Sequence, residues 1–231
     1  MPAAATDPPR AAAGKARLAG LYAVTPDEAD TARLAALVAA AIAGGARAIQ
    51  YRNKSATPAL RHEQAARLAR VCAGHGALLV VNDDARLARA VDAAGVHVGE
   101  QDGSVAFARD LVGDARIVGV SCYDNLARAQ HAVAQGADYV AFGSFFPSTV
   151  KPGARRASLA LLRQARPLAV PVVAIGGVTA HNARALVEAG ADAVAVITDV
   201  FAHDDPADVT RAAAAIAACF EPSNRIGHTR P

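Results

Sequence analysis

The sequence predicts an α/β chain folded as a single (β/α)₈ TIM barrel, on three observations: short apolar runs, helix-length stretches between them, and glycines where one passes into the next. The apolar runs occupy residues 18–24, 46–51, 77–81, 95–98, 116–120, 138–142, 171–175 and 192–197. Several are apolar at nearly every position, as in Leu78-Leu79-Val80-Val81 and Val172-Val173-Ala174-Ile175, which parallel strands covered on both faces require. Between the runs, Leu34, Leu37, Val38 and Ile42, then Leu60, Ala65, Leu68 and Val71, recur at helical spacing. Gly44-Gly45, Gly74, Gly95, Gly136 and Gly190 read as helix stops, because glycine enters the left-handed region at little cost. The phrases AGGARAIQ (43–50), AQGADYVAF (134–142) and EAGADAVAV (188–196) are near copies of this joint, a weak internal repeat. An open doubly wound sheet is the alternative architecture. It lacks support, because no G-x-G-x-x-G follows the first run, where Leu21-Tyr22-Ala23-Val24-Thr25-Pro26 stands instead.

At 231 residues the chain fits one domain, with the barrel over 17–220 and disordered tails at 1–16 and 221–231. No run approaches the roughly 20 apolar residues of a membrane span, and the first residues lack a signal-peptide core, so a cytoplasmic protein without a membrane partner is expected. Cys72, Cys122 and Cys219 form no C-x-x-C pair and read as buried thiols rather than a disulfide framework. A formal net charge of +3, part of it from arginines near the ends, does not argue for nucleic acid. Of 24 basic residues only Lys15, Lys54 and Lys151 are lysines, which draws attention to the last two.

Barrel active sites form where strands end, so the residues after each run carry the functional reading. After the second run, alternation along an extended chain would project Gln50, Arg52 and Lys54 together, a set suited to phosphate or diphosphate. Asn82-Asp83-Asp84 follows the third run and Gly99-Glu100-Gln101-Asp102 the fourth. Carboxylates at neighbouring strand ends can share a cation, and Mg²⁺ commonly takes one or two of them, so Asp83 and Asp102 are the candidate pair. The competing role for Asp83-Asp84 is capping the next helix, and one of the two could cap while the other binds metal. His97 reads as a satisfied strand histidine rather than a ligand. After the sixth run, the hydroxyl-rich segment 143–153 with Lys151 suits a lid closing over an anion, against the plainer reading of a surface loop. Gly176-Gly177, followed by Thr179 opening a helix, and Ile197-Thr198-Asp199 stand after the seventh and eighth runs, a recurrent barrel phosphate site, although a glycine pair also shapes tight turns. Two anion sites imply two phosphorylated groups. No Ser/His/Asp triad or activated cysteine is evident, so displacement of a metal-bound diphosphate is favoured over covalent catalysis.

Gln50-x-Arg52-x-Lys54, Val81-Asn82-Asp83, Val96-His97-Val98-Gly99 with Asp102, Gly119-Val120-Ser121, Gly143-Ser144-Phe145-Phe146-Pro147-Ser148 with Lys151, Ile175-Gly176-Gly177 and Val196-Ile197-Thr198 occur in one order. In that order, over about 20–220, the chain resembles the thiamine-phosphate synthase family. The resemblance implies a transferase that couples a hydroxymethylpyrimidine diphosphate to a thiazole phosphate with Mg²⁺, losing diphosphate first to leave a pyrimidine-methyl cation. It implies that Gln50, Arg52, Lys54, Asn82, Ser121 and Lys151 contact the pyrimidine diphosphate, with Arg52, Lys151 and Ser121 closest to catalysis. It further implies that Asp83 and Asp102 hold Mg²⁺, and that Ser148, Gly177, Ile197 and Thr198 bind the thiazole phosphate. Four positions depart from the family's common pattern: Glu100-Gln101 in reversed order, Asn53 for a frequent Glu, Val150 for a Thr, and Tyr123 for a His. The competing functions are a thiazole tautomerase of the same barrel, which the resemblance implies would use that His, and a non-catalytic thiamine-phosphate-binding protein.

Overall fold

The computed structural model describes residues 18–100, 102–147 and 155–221. Eight strands follow one another around a closed barrel: β1 (Gly20–Val24), β2 (Ala46–Tyr51), β3 (Leu78–Asn82), β4 (Gly95–Val98), β5 (Ile117–Tyr123), β6 (Tyr139–Phe142), β7 (Val172–Ile175) and β8 (Ala193–Val196). Every neighbouring pair is parallel, and β8 returns to pair with β1. Outside run α1 (Thr31–Ala43), α2 (Pro58–Gly74), α3 (Ala85–Ala90), α4 (Val105–Val112), α5 (Leu126–Ala134), α6 (Leu159–Ala165), α7 (Ala183–Ala189), the single turn α8 (Thr198–Phe201) and α9 (Pro206–Ala217). The readings of tails at 1–16 and 222–231, and of the segment 148–154, fall outside the described residues.

Alternation along each strand divides the apolar side chains into two cores. One lies between sheet and helices, where Leu34, Leu37 and Val38 meet Leu21, Ala23 and Ile49. The other fills the barrel, with Tyr22, Val24, Ala48, Val80, Tyr139, Ala141, Val173, Ala193 and Ala195. Tyr139 fits inside because its neighbour on β5 is Gly119, where a Cβ would stand 1.9 Å from the ring. Gly95 does similar work against Ile117, whose carbonyl oxygen would lie 2.2 Å from an added Cβ. Gly95 is therefore a strand residue of β4 and not a helix stop; α3 ends at Ala90, with Asp92 in the left-handed region.

The repeated Gly-Ala-Asp phrase has a physical cause beyond the helix stop. Gly136 and Gly190 take φ of +91° and +116°, and each following aspartate grips the strand before it. Asp138 N–H donates to Val118 O while Asp138 Oδ2 accepts from Val118 N–H, both at 2.8 Å. Asp192 does the same with Val172, at 2.9 and 2.8 Å. The three cysteines are buried and free, and burial pushes the Cys72 and Cys122 thiols up to about 12, which makes them inert packing groups. Among the described residues no helix is long and apolar enough to cross a membrane.

Candidate active site

The predicted residues that the structure describes gather at the C-terminal mouth of the barrel, at different depths. Strand β2 ends at Tyr51, so only Gln50 of the cationic set is an inward strand residue; it is buried and donates through Nε2 to Tyr22 Oη at 3.0 Å. Arg52 and Lys54 lie on the loop beyond. Buried Thr25 fixes that loop, its Oγ1 accepting from Arg52 N–H and donating to Arg52 O, both at 2.9 Å. Asp27 Oδ1 accepts from Lys54 N–H at 2.9 Å and stands 3.6 Å from Arg52 Nη1. Asn53 points inward, donating to Glu28 O and Gln64 Oε1, so the residue that departs from the common pattern is a loop anchor.

Of the two adjacent aspartates, Asp84 takes the capping role and Asp83 does not. Asp84 caps α3, its Oδ1 accepting from Leu87 N–H at 2.9 Å. Asp83 sits at φ +64°, its N–H bonded to His97 O while Asn82 O accepts from Asp84 N–H, a tight γ-turn that few non-glycine residues tolerate. The turn brings the Asp83 carboxyl into hydrogen-bond contact with Asp102, whose Oδ2 accepts from Gly99 N–H at 2.8 Å. Burial, and then Asp102, push the Asp83 carboxyl up to about 6; Lys54 and the Asn82 amide pull the other way. Two carboxyls in contact beside an ammonium are what a divalent cation would separate. Asp83, Asp84 and Asp102 also line an outer pocket of about 370 Å³ with Arg61, Arg86 and Phe107.

His97 is satisfied, as expected, with Nδ1 2.9 Å from Tyr139 Oη and Nε2 2.9 Å from Ser121 Oγ. Burial lowers its pKa to about 4, against the opposing field of Asp102, so the ring is neutral at physiological pH. Tyr123 is exposed at φ +54° under the Arg128 guanidinium, 5.8 Å from its ring centre. Arg128 also donates to Ser121 O at 2.9 Å and stands 3.8 Å from Glu100, tying together two of the departing positions.

The second site is a pocket of about 310 Å³ at the ends of β7 and β8, lined by Gly177, Ile197 and Thr198 together with Pro147, Thr179 and His203. Gly177 has φ +63°, and a Cβ there would lie 2.2 Å from Pro147 O. The close pass of the β6 loop thus demands glycine independently of any ligand, and the bare backbone it leaves faces the pocket. Thr179 begins a turn rather than a helix: its N–H donates to Asn182 Oδ1 at 2.9 Å, and α7 starts at Ala183. Ser148, Val150 and Lys151 lie outside the described residues. The sequence reading missed Tyr22, Thr25, Asp27 and Tyr139. Only the short polar stretch after the first run, Thr25-Pro26-Asp27, offered a local signal.

A closed parallel barrel with paired carboxylates and cations on one side of its mouth and a glycine-lined pocket on the other is a TIM-barrel enzyme. Residues 21–200 match the family described as thiamine monophosphate synthase. The chain belongs to the thiamine-phosphate synthase family. It is 54% identical over 198 residues to a thiamine-phosphate synthase of Chromobacterium violaceum, covering 86% of this chain and 96% of that one. A thiamine-phosphate synthase of Azoarcus sp. is 54% identical over 191 residues, 82% of this chain and 93% of that one. The solved thiamine phosphate pyrophosphorylase from Pyrococcus furiosus shares 34% identity and a TM-score of 0.76, covering 87% of this chain and 94% of that one.

Proposed function

We propose that this enzyme condenses hydroxymethylpyrimidine diphosphate with a thiazole phosphate, forming thiamine phosphate and releasing diphosphate with Mg²⁺. The observation that carries the reading is the contact between Asp83 and Asp102, with Lys54 close enough to act on the Asp83 carboxyl. Without a cation, two carboxylates would repel a polyanionic substrate at this mouth. Mg²⁺ takes one or two protein carboxylates and fills its shell with water and phosphate oxygens, so this pair is enough to place it. When bound, the ion would supply positive charge against the departing diphosphate.

The chain's own groups do the rest. Arg52, Lys54 and Lys151 would bind diphosphate oxygens, while Gln50 and Ser121 orient the pyrimidine. The carbon–oxygen bond breaks with its electron pair leaving on diphosphate, and the thiazole nitrogen lone pair then forms the carbon–nitrogen bond. The β7–β8 pocket would hold the thiazole phosphate through backbone N–H groups, with Ser148 as a further ligand. Tyr123 favours condensation over tautomerisation, because it stands where the tautomerase would use a His, and an imidazole is the side chain suited to shuttling protons at neutral pH.

One tube with thiazole phosphate alone and one with both substrates, each followed by mass spectrometry, tests the reading. Thiamine phosphate and diphosphate should appear in the second tube, stop on adding EDTA and resume with Mg²⁺. Isomerised thiazole in the first tube with no diphosphate in the second would reverse the assignment, and full turnover after chelation would remove the metal from it.

A further inference from the structure

Five polar side chains form one hydrogen-bonded file across the barrel just below its mouth. Gln50 Nε2 donates to Tyr22 Oη at 3.0 Å, Tyr22 Oη lies 2.9 Å from Tyr139 Oη, Tyr139 Oη lies 2.9 Å from His97 Nδ1, and His97 Nε2 lies 2.9 Å from Ser121 Oγ. Gln50, Tyr22, Tyr139 and His97 are buried, and Ser121 is half-buried. The rings are held against turning: Tyr139 stacks on His97 at 5.5 Å and meets Tyr22 edge-on at 6.1 Å.

Counting hydrogens gives the file a direction. Tyr22 Oη accepts from the Gln50 amide, so among the described residues its own hydrogen has only Tyr139 Oη to reach. The Tyr139 hydrogen then has only His97 Nδ1. A neutral imidazole that accepts at Nδ1 carries its proton on Nε2, which donates to Ser121 Oγ. In the reverse direction the Tyr22 hydrogen would be buried without an acceptor, which carries the full desolvation cost of a hydroxyl. Only turning the Gln50 amide over would relieve it.

We propose that Tyr22, Tyr139 and His97 are positioning residues, whose file locks His97 in the Nε2–H tautomer and commits the Ser121 hydroxyl as a donor to the substrate. Gln50 Oε1 is left at the other end as an acceptor, with no hydrogen-bond partner among the described residues. A ring seated between β2 and β5 is then read with a donor toward Gln50 and a lone pair toward Ser121. The seating of the pyrimidine there rests on the function proposed above; the tautomer does not.

The test is a long-range ¹H–¹⁵N spectrum of the substrate-free protein at neutral pH, with His97 assigned through the backbone. The expected result is a protonated Nε2 and a bare Nδ1. Ser121→Ala should keep that tautomer, since Tyr139 sets it. Tyr139→Phe should release it, and should raise KM for the pyrimidine diphosphate about tenfold, the loss expected of one hydrogen bond, with kcat changed less. A proton on Nδ1 in the wild-type protein, or a Tyr139→Phe variant with unchanged tautomer and KM, overturns the proposal. The expected tautomer in a protein that fails to condense the two substrates would instead sink the proposed function and leave the file standing.

Discussion

Arg52 shows how a loop can be held by its backbone alone. Thr25 Oγ1 holds both the N–H and the carbonyl of Arg52, so the loop keeps its path whatever side chain stands there. Arg52→Ala should change stability by no more than about 0.5 kcal/mol. It should lower kcat/KM about 10- to 100-fold, the worth of a hydrogen bond to a charged group. Lys151→Ala should act mainly on kcat. Denaturation curves and steady-state kinetics check both, and wild-type kinetics in both variants would mean the diphosphate pocket is misplaced. Asp83 gives a second prediction at this scale. Its carboxyl, held up to about 6 by burial and by Asp102, is protonated below that pH, and a proton competes with a metal for the same oxygens. Mn²⁺ binding to the substrate-free protein, followed by electron paramagnetic resonance, should therefore weaken as pH falls through about 6 and level off above it. Affinity that stays flat across this range would remove Asp83 from the ligand set.

At the scale of elements, the end of β3 sends two adjacent aspartates in different directions. The γ-turn at Asp83 turns one carboxyl toward Asp102 and leaves the next to cap α3. Asp84→Ala should cost about 1 kcal/mol, the usual worth of an N-cap, while the proposed response to Mg²⁺ stays as in the wild type. Asp83→Asn should do the opposite, removing activity without lowering the melting temperature. Interchanged outcomes would exchange the two roles. The Gly-Ala-Asp repeat was legible as a pattern, but nothing in it assigns its aspartates a partner. Their grip on Val118 and Val172 appears only once the sheet sets those strands side by side. Gly95 was misread for a related reason: a glycine excluded by a neighbouring strand looks in sequence like one that ends a helix.

The whole barrel depends on its seam, where the first and last elements meet. β1 pairs with β8, and α1 packs on α9 with Thr210 Oγ1 donating to Ala40 O at 3.1 Å. Gly44, just after α1, permits that approach: a Cβ there would lie 2.4 Å from Thr210 O and 2.7 Å from Ala213 Cβ. Gly44→Ala should cost about 1–3 kcal/mol in chemical denaturation, as overpacked sites do. Gly74→Ala, with nothing within 4 Å of the added carbon, should be neutral or stabilise by up to about 1 kcal/mol. Equal behaviour of the two variants would contradict the packing of the seam.

The sequence by itself determined the barrel, because strand and helix periodicity and left-handed glycines are local properties of the chain. It also directed the search for the proposed phosphate and metal sites to the strand ends, since in a parallel barrel all of them open on one face. Only the tertiary structure decided which aspartate caps and which pairs with Asp102. The same holds for the anchoring of Arg52 by Thr25 and for the joining of Gln50 to Ser121 through Tyr22, Tyr139 and His97. Tyr22 and Tyr139 stand 117 residues apart, and in sequence each is an aromatic of a strand like any other core residue. Inward direction on a closed sheet makes them neighbours, and burial makes their hydroxyls find one another.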